Sequence, residues 1–307
     1  MGLKTSVVVP VHNEAKILRM NSEKLREYLS SNIEGYEIIL CENGSLDDTP
    51  VIAKELAERY DDIKFLELPE ANLGKALRSG FRAARGENVV WFPIDLSADM
   101  GFITESLRLL SYFDVVVGSK RLISDLDRRP LMRRAISRAY HRIVRGLYDV
   151  DFTDTTCVKA YRRNRVIDLM DRVPISSNIY ETELLVEAST EGLNIVEVPV
   201  AVREFRPYRV GLVWRIQHKL TDLLSANLNR ISTFIGVPLF LGGILNLVFL
   251  TMTKIKSHSL GGFINPYAFL LSMLLVISGF QIMTFGLLTN LVLQIRRQVS
   301  EAVKERG

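Results

Sequence analysis

Two stretches near the carboxyl end of this 307-residue chain carry almost no charge. Residues 231–253 contain no Asp, Glu, Lys, Arg or His, and residues 257–295 contain only His258. A helix of about 20 apolar residues spans a hydrocarbon core about 30 Å thick. Two membrane spans are therefore expected, over residues 233–253 and 266–294, the second long enough to tilt or to extend into the interface. A buried hairpin of a soluble protein would keep a polar face on its helices. Small residues such as Gly242 and Gly243 permit close helix packing, and with it a homo-oligomer.

The rest of the chain is a different kind of polymer, with charge spread through residues 1–230. It leaves room for one large α/β domain in addition to the apolar appendage. Met1-Gly2-Leu3-Lys4 leads straight into an apolar strand pattern, without the regions of a signal peptide, so the domain is expected to stay in the cytoplasm. Arg230 before the first span and Arg296, Arg297, Lys304 and Arg306 after the second outnumber Lys254 and Lys256 between them. That is a modest bias toward both ends inside. Cys41 and Cys157 lack metal or redox spacing and are expected to be core thiols. The formal charge of +4, dispersed among carboxylates, does not point to nucleic acid.

Short β-branched or apolar runs alternate with helical periodicity. Strands are expected over residues 6–10, 37–41, 63–68, 88–94, 115–118 and 194–200. Helices are expected over 15–29, 49–60, 74–85, 101–110 and 180–191. This alternation predicts a mostly parallel sheet covered on both faces, with ligands at the carboxyl ends of the strands. Polar clusters fall at those ends: His12-Asn13-Glu14, Glu42-Asn43-Gly44-Ser45, Asn72-Leu73-Gly74-Lys75 and Asp95-Leu96-Ser97-Ala98-Asp99. Arg121, Arg128, Arg129, Arg133, Arg134, Arg138, Arg142 and Arg145 crowd a largely helical segment in the middle of the chain. They form either a solvated basic face or a surface for anionic lipid and a phosphate substrate. Trp214, Ile216, Leu220, Leu223 and Leu224 alternate with Arg215, Lys219 and Asp222, as in a helix lying in the membrane interface over residues 211–232.

The order of motifs is also informative: Val7-Val8-Val9-Pro10-Val11-His12-Asn13-Glu14, Glu42-Asn43-Gly44-Ser45-Leu46-Asp47, Gly74-Lys75-Ala76-Leu77-Arg78-Ser79-Gly80, then Gly118-Ser119-Lys120-Arg121. It resembles the family 2 glycosyltransferases of GT-A fold, and within them the polyprenyl-phosphate (dolichyl-phosphate) mannose and glucose synthases. The resemblance implies a nucleotide-sugar-binding domain over residues 1–210, followed by the interfacial helix and a transmembrane hairpin over 233–307. It implies an inverting enzyme that moves a hexose from UDP-glucose or GDP-mannose to a polyprenyl phosphate. Two spans favour UDP-glucose, by likeness to bacterial glucosyl-lipid members.

The same resemblance assigns the base and ribose to Pro10, His12, Glu14 and Glu42, with His12 where relatives have Tyr and Glu42-Asn43 where they have two Asp; Asn43 either joins them or shapes the turn before Gly44. A family Asp-x-Asp is reduced here to Pro93-Ile94-Asp95. Asp95 becomes the expected ligand of Mg2+ or Mn2+, with Ser97 as a further oxygen donor. Asp99 is either a substitute ligand or a carboxylate at a helix amino terminus. Lys75 and Arg206 would face the diphosphate, and Arg121 with Arg133 or Arg134 the acceptor phosphate. Glu181 and Glu183, two apart, cannot share one helix face; Glu181 is favoured as the acceptor-side acid. Asp154, in Asp154-Thr155-Thr156-Cys157, resembles a further family signature that lacks its usual Gly.

Other readings are weaker. A processive polysaccharide synthase would carry Gln-x-x-Arg-Trp, absent here, and a non-catalytic membrane scaffold has Pro93 as its support. No G-x-G-x-x-G follows the first strand, and Gly74-Lys75-Ala76 lacks the remainder of a P-loop, which sets aside dehydrogenases and P-loop kinases.

Overall fold

β-Branched residues favour extended backbone, and the run Thr5–Val11 forms β1, an interior strand of a seven-stranded sheet. The computed structural model describes residues 4–123, 131–148, 150–173, 179–203, 228–256 and 265–304. β1 is parallel to β2 (Tyr36–Asn43) on one side and to β4 (Asn88–Trp91) on the other. With β3 (Ile63–Leu68), β5 (Val115–Ser119), β6 (Lys159–Arg162) and β7 (Ile195–Pro199), the order is β3-β2-β1-β4-β6-β5-β7. β6 alone runs antiparallel to its neighbours, β4 and β5.

Successive strand residues face opposite sides of a sheet, and here both sides are covered. Val7, Val9, Ile38, Leu40 and Val90 pack with α1 (Ala15–Asn32), α2 (Thr49–Arg59) and α4 (Gly101–Leu109) through Leu18, Leu25, Leu56 and Phe102. Val8, Ile39, Cys41, Val115 and Val117 pack with α3 (Leu73–Ala83), α6 (Arg163–Val166) and α7 (Tyr180–Thr190) through Leu77, Phe81, Val166 and Leu184. Two covered faces explain why these strands are continuously apolar. Cys41 and Cys157 are buried free thiols, as expected.

Several boundaries differ from expectation. β4 ends at Trp91 instead of running on to Ile94, because Pro93 has no N–H with which to extend the ladder. β6 was not anticipated, whereas the arginine-rich segment is helical as expected and forms α5 (Leu131–Tyr148). Residues 204–227 lie outside the described residues, and with them most of the expected interfacial helix, including Trp214. Its final residues, 228–232, already belong to the first apolar helix, α8 (Leu228–Lys256), since no breaker interrupts Leu228-Asn229-Arg230-Ile231-Ser232.

Residues Leu223–Gly307 form a compact unit distinct from Met1–Asp222. It consists of α8 and α9 (Pro266–Lys304), whose segments Ile231–Lys254 and Pro266–Thr289 are long and apolar enough to cross a membrane. α9 continues past residue 294 because the residues that follow are good helix formers. The two helices meet through glycines. A Cβ on Gly279 would stand 2.5 Å from the Phe240 nitrogen, and one on Gly243 would stand 2.8 Å from the Ser272 carbonyl oxygen. Asn246 Nδ2 donates to Ser272 Oγ at 2.9 Å beside them. Gly243 is thus used inside the hairpin, whereas nothing lies within 4 Å of a Cβ on Gly242. Phe234, Leu245 and Phe285 point outward, 82%, 68% and 63% exposed.

Candidate functional site

The carboxyl ends of β1 to β5 and β7, and the amino end of β6, share one edge of the sheet. On one half of that edge the loops after β1, β2 and β3 brace one another. His12 Nδ1 lies 2.7 Å from the Asn43 carbonyl, and its Nε2 lies 3.0 Å from the Asn13 amide nitrogen. A proton on Nδ1 satisfies both contacts. Asn13 adopts φ 55°, a left-handed backbone that Asn tolerates. Its N–H donates to Ser45 Oγ at 2.9 Å and its Oδ1 accepts from the Leu46 N–H at 2.8 Å. Gly44, at φ 60°, has no room for a side chain, since a Cβ would stand 2.7 Å from the Ala71 nitrogen. Asn43 Oδ1 accepts from the Asn72 N–H, and Asn72 Oδ1 caps α3 by accepting from the Lys75 N–H at 2.9 Å.

The expected base-binding residues divide on this half. Pro10, His12 and Glu14 are half-buried at the loop, but Glu42 is only 1% exposed. Its Oε1 accepts from the Ser45 N–H at 2.6 Å, so the carboxylate holds the turn together from inside. Asn43 likewise shapes the loops. Lys75 is half-buried and its ammonium pairs with Glu70.

On the other half, the loop after β4 is stitched to the chain that follows β7. Asp99 N–H donates to the Ala201 carbonyl at 3.1 Å and Arg203 N–H to the Ser97 carbonyl at 2.8 Å. Asp95 Oδ1 accepts from the Ser97 N–H at 3.0 Å, a tight turn made possible by Leu96 at φ 50°. Asp99 is exposed, and a Cβ on Gly101 would lie 2.8 Å from its Oδ2. Its carboxylate therefore sits by the start of α4. Among the described residues no group of three or more His, Cys, Asp or Glu could hold a metal. The Asp95 carboxylate and Ser97 hydroxyl fit a hard cation only as a partial oxygen set, to be completed by other oxygens such as those of a diphosphate.

Beside this turn lies a buried ionic cluster. Lys120 Nζ stands 2.8 Å from Asp154 Oδ2 and donates to Thr156 Oγ1 at 3.2 Å. Burial alone would raise the Asp154 carboxyl pKa, but Lys120 and Arg121 hold it well below the usual carboxylate range. Arg121 donates to the Thr153 carbonyl, and to the Ser137 carbonyl and hydroxyl on α5, both at 2.6 Å. Glu197 of β7 accepts from the N–H groups of Thr153 and Asp154 at 2.9 and 3.0 Å. Glu181, 7% exposed on α7, lies 3.8 Å from Lys159 Nζ, whereas Glu183 is half-buried. Lys159 and Lys120 were not singled out from sequence as parts of such a cluster. Arg134 is half-buried on α5. The side chain of Arg133, and Arg206 altogether, lie outside the described residues.

Trp91, Pro93, Ser97, Lys120, Thr156 and Cys157 line a cleft of about 150 Å³ on this second half of the edge. A larger cleft of about 360 Å³, lined by Lys4, Asn32, Asn88 and Thr104, lies at the opposite edge. Ligands of parallel sheets bind at the carboxyl ends, which favours the smaller cleft.

Residues 6–169 match the family model described as glycosyl transferase family 2. Glycosyltransferase AglD of Haloferax volcanii is 34% identical over 207 residues, covering 65% of this chain and 33% of AglD. This chain thus spans about a third of that relative. Dolichyl-phosphate beta-glucosyltransferase ALG5D of Trichomonas vaginalis is 28% identical, covering 75% of this chain and 73% of the relative. Glucosyl-3-phosphoglycerate synthase of Mycobacterium tuberculosis, solved with Mn2+, UDP and phosphoglyceric acid, aligns with TM-score 0.52 at 18% identity. That alignment covers 73% of this chain and 78% of the other. At such identity the likeness establishes the fold, which is the GT-A-like architecture expected from the motifs.

Proposed function

This chain belongs to the family 2 glycosyltransferases, and from that premise we propose that it transfers a hexose from a nucleotide sugar to a polyprenyl or dolichyl phosphate. The donor is UDP-glucose in preference to GDP-mannose, and transfer takes place at the cytoplasmic face of the membrane that α8 and α9 span. The observation that carries the reading is the meeting, on one sheet edge, of the Asp95–Ser97 turn with the Lys120–Arg121 pair, in a chain with two outward-facing apolar helices. The name of the Trichomonas relative supports a lipid-phosphate acceptor, and UDP in the mycobacterial structure supports the donor class.

In this reaction a phosphate oxygen of the lipid attacks the anomeric carbon from the face opposite the diphosphate. The new C–O bond forms as the bond to the nucleotide breaks, and the departing diphosphate takes the electron pair. The product is an inverted glycosyl phosphate. With a second pKa of about 6, the acceptor is already largely ionised and needs no strong base. The chain's own task is to align two anions that repel one another and to favour the charge that gathers on the leaving group. Arg121, fixed to Thr153 and Ser137, would give the acceptor side a rigid cation, and Arg133 or Arg134 would supply a second. Asp95 and Ser97 would hold Mg2+ or Mn2+ together with the donor diphosphate, and that ion would supply positive charge at the leaving group.

The test is mass spectrometry of the lipid product after incubation with a panel of nucleotide sugars. Asp95→Ala should slow product formation on the order of 100-fold to 1000-fold. If Asp95→Ala forms glycosyl lipid as fast as the unmodified chain, the reading is wrong. Silence of the unmodified chain with every donor would favour the scaffold.

A further inference from the structure

Lys159 is the most unusual residue of the sheet. It has no exposed surface, yet it stands in β6 between Trp91 of β4 and Val117 of β5. Its ammonium donates to the Cys157 carbonyl at 3.0 Å, lies 5.1 Å from the centre of the Trp91 ring, and lies 3.8 Å from Glu181 Oε2. Taking an ammonium wholly out of water is costly, and an apolar side chain of similar size commonly stabilises such a position at least as well. A buried lysine here therefore calls for a reason other than stability. Trp91 and Cys157, two of its contacts, line the cleft of the candidate site. The Lys120–Asp154 pair lies close enough that both of its members act electrostatically on Lys159. Two ammonium groups and two carboxylates thus lie together at the wall of the cleft and behind it.

Resting on the function proposed above, we propose that Lys159 is a positioning residue, whose buried ammonium fixes the Glu181 carboxylate in place and compensates its charge. A carboxylate so held accepts a hydrogen bond from a sugar hydroxyl without setting a net negative charge beside two phosphate-bearing substrates. Burial pushes the Lys159 pKa down, while Glu181 first and then Asp154 push it back up. Cys157 and Lys120 are the other titratable groups acting on Lys159. Glu181 in turn faces Tyr140 of α5 and Tyr161 of β6.

The experiment compares Lys159→Met, Lys159→Arg and the double variant Lys159→Met/Glu181→Gln in the full chain, reconstituted in lipid. Glycosyl-lipid formation is measured against pH, and folding by thermal unfolding. Lys159→Met should lower kcat on the order of tenfold to a hundredfold, with donor KM within about threefold of the original. Its acid limb should move to higher pH, because an uncompensated buried carboxylate takes up a proton more readily. Lys159→Arg should restore most of the rate and the original limb. The double variant, with both charges removed, should fold and remain slow, and it decides the matter even where Lys159→Met does not fold. A folded double variant as fast as the unmodified chain, or Lys159→Met with unchanged kcat and limb, overturns the proposal. An unmodified chain that makes no glycosyl lipid overturns the functional reading instead, so the two failures are distinguishable.

Discussion

His141, on the inner side of α5, is surrounded electrostatically by Arg121, Asp154, Arg145 and Lys120. Burial, and then the Arg121 charge, push its pKa from 6.5 down to about 4. Between those two values the unfolded chain holds more protons than the folded one, so stability falls as pH falls through the window. The midpoint of chemical denaturation should decline from pH 6.5 toward pH 4, and His141→Asn should flatten that decline. An undiminished decline in the variant would assign it to other groups. His141 carries no sequence signal for this environment. Lys159 is hidden for a related reason: in Val158-Lys159-Ala160-Tyr161 an alternating pattern puts the lysine on a solvated face. Only the packing of α7 over that face reveals a buried charge. Glu42, too, is legible as a carboxylate near the site, but its place inside the turn depends on the Ser45 N–H and so on the folded loop.

At the scale of elements, local pattern is sufficient wherever an element is long or bounded by strong breakers. β3 and the starts of α1, α2 and α7 fall where periodicity places them, and the two apolar helices are visible from composition alone. β6 is short and begins beside buried polar groups, so its alternation is too brief to mark it as a strand. The start of α8 is obscured because a membrane helix and its polar approach can share one continuous hydrogen-bonded coil. The α8–α9 contact invites a direct test. A side chain on Gly279 would meet the backbone of Phe240, which cannot swing away as a flexible side chain can. Gly279→Leu should weaken the hairpin by about 1–3 kcal/mol. Cysteines placed by Asn246→Cys and Ser272→Cys, at positions now hydrogen-bonded at 2.9 Å, should cross-link in the parent. They should cross-link much less with Gly279→Leu and as before with Gly242→Leu. Equal cross-linking in all three would mean that the glycine contact does not hold the pair.

Across the whole molecule, an α/β unit and a bare apolar hairpin require two different solvents. Side chains as large as Phe234, Leu245, Phe280 and Phe285 stand outward on α8 and α9, more than a water-soluble monomer ordinarily exposes. The chain should sediment with membranes, resist extraction by alkaline carbonate and by high salt, and be released by detergent. Release by salt alone would limit the hairpin to a surface contact. The edge that carries the site is legible in the order of the polar clusters, because parallel strands bring their exits to one side. The buried pairing of Lys120 with Asp154 and of Lys159 with Glu181 is not, since it joins residues far apart in the chain.

β6 has a consequence for how such a molecule can diverge. Because it runs against its neighbours, the polypeptide touches the ligand edge while entering the sheet there, through Thr153–Cys157, as well as while leaving the other strands. The half of that edge with Lys120 and Asp154 is thereby built from one inbound connection together with the outbound loops after β4, β5 and β7, and the other half from outbound loops alone. Insertions, deletions or exchanges in that single arm would reshape the cleft beside Lys120 and leave the braced loops after β1, β2 and β3 as they are.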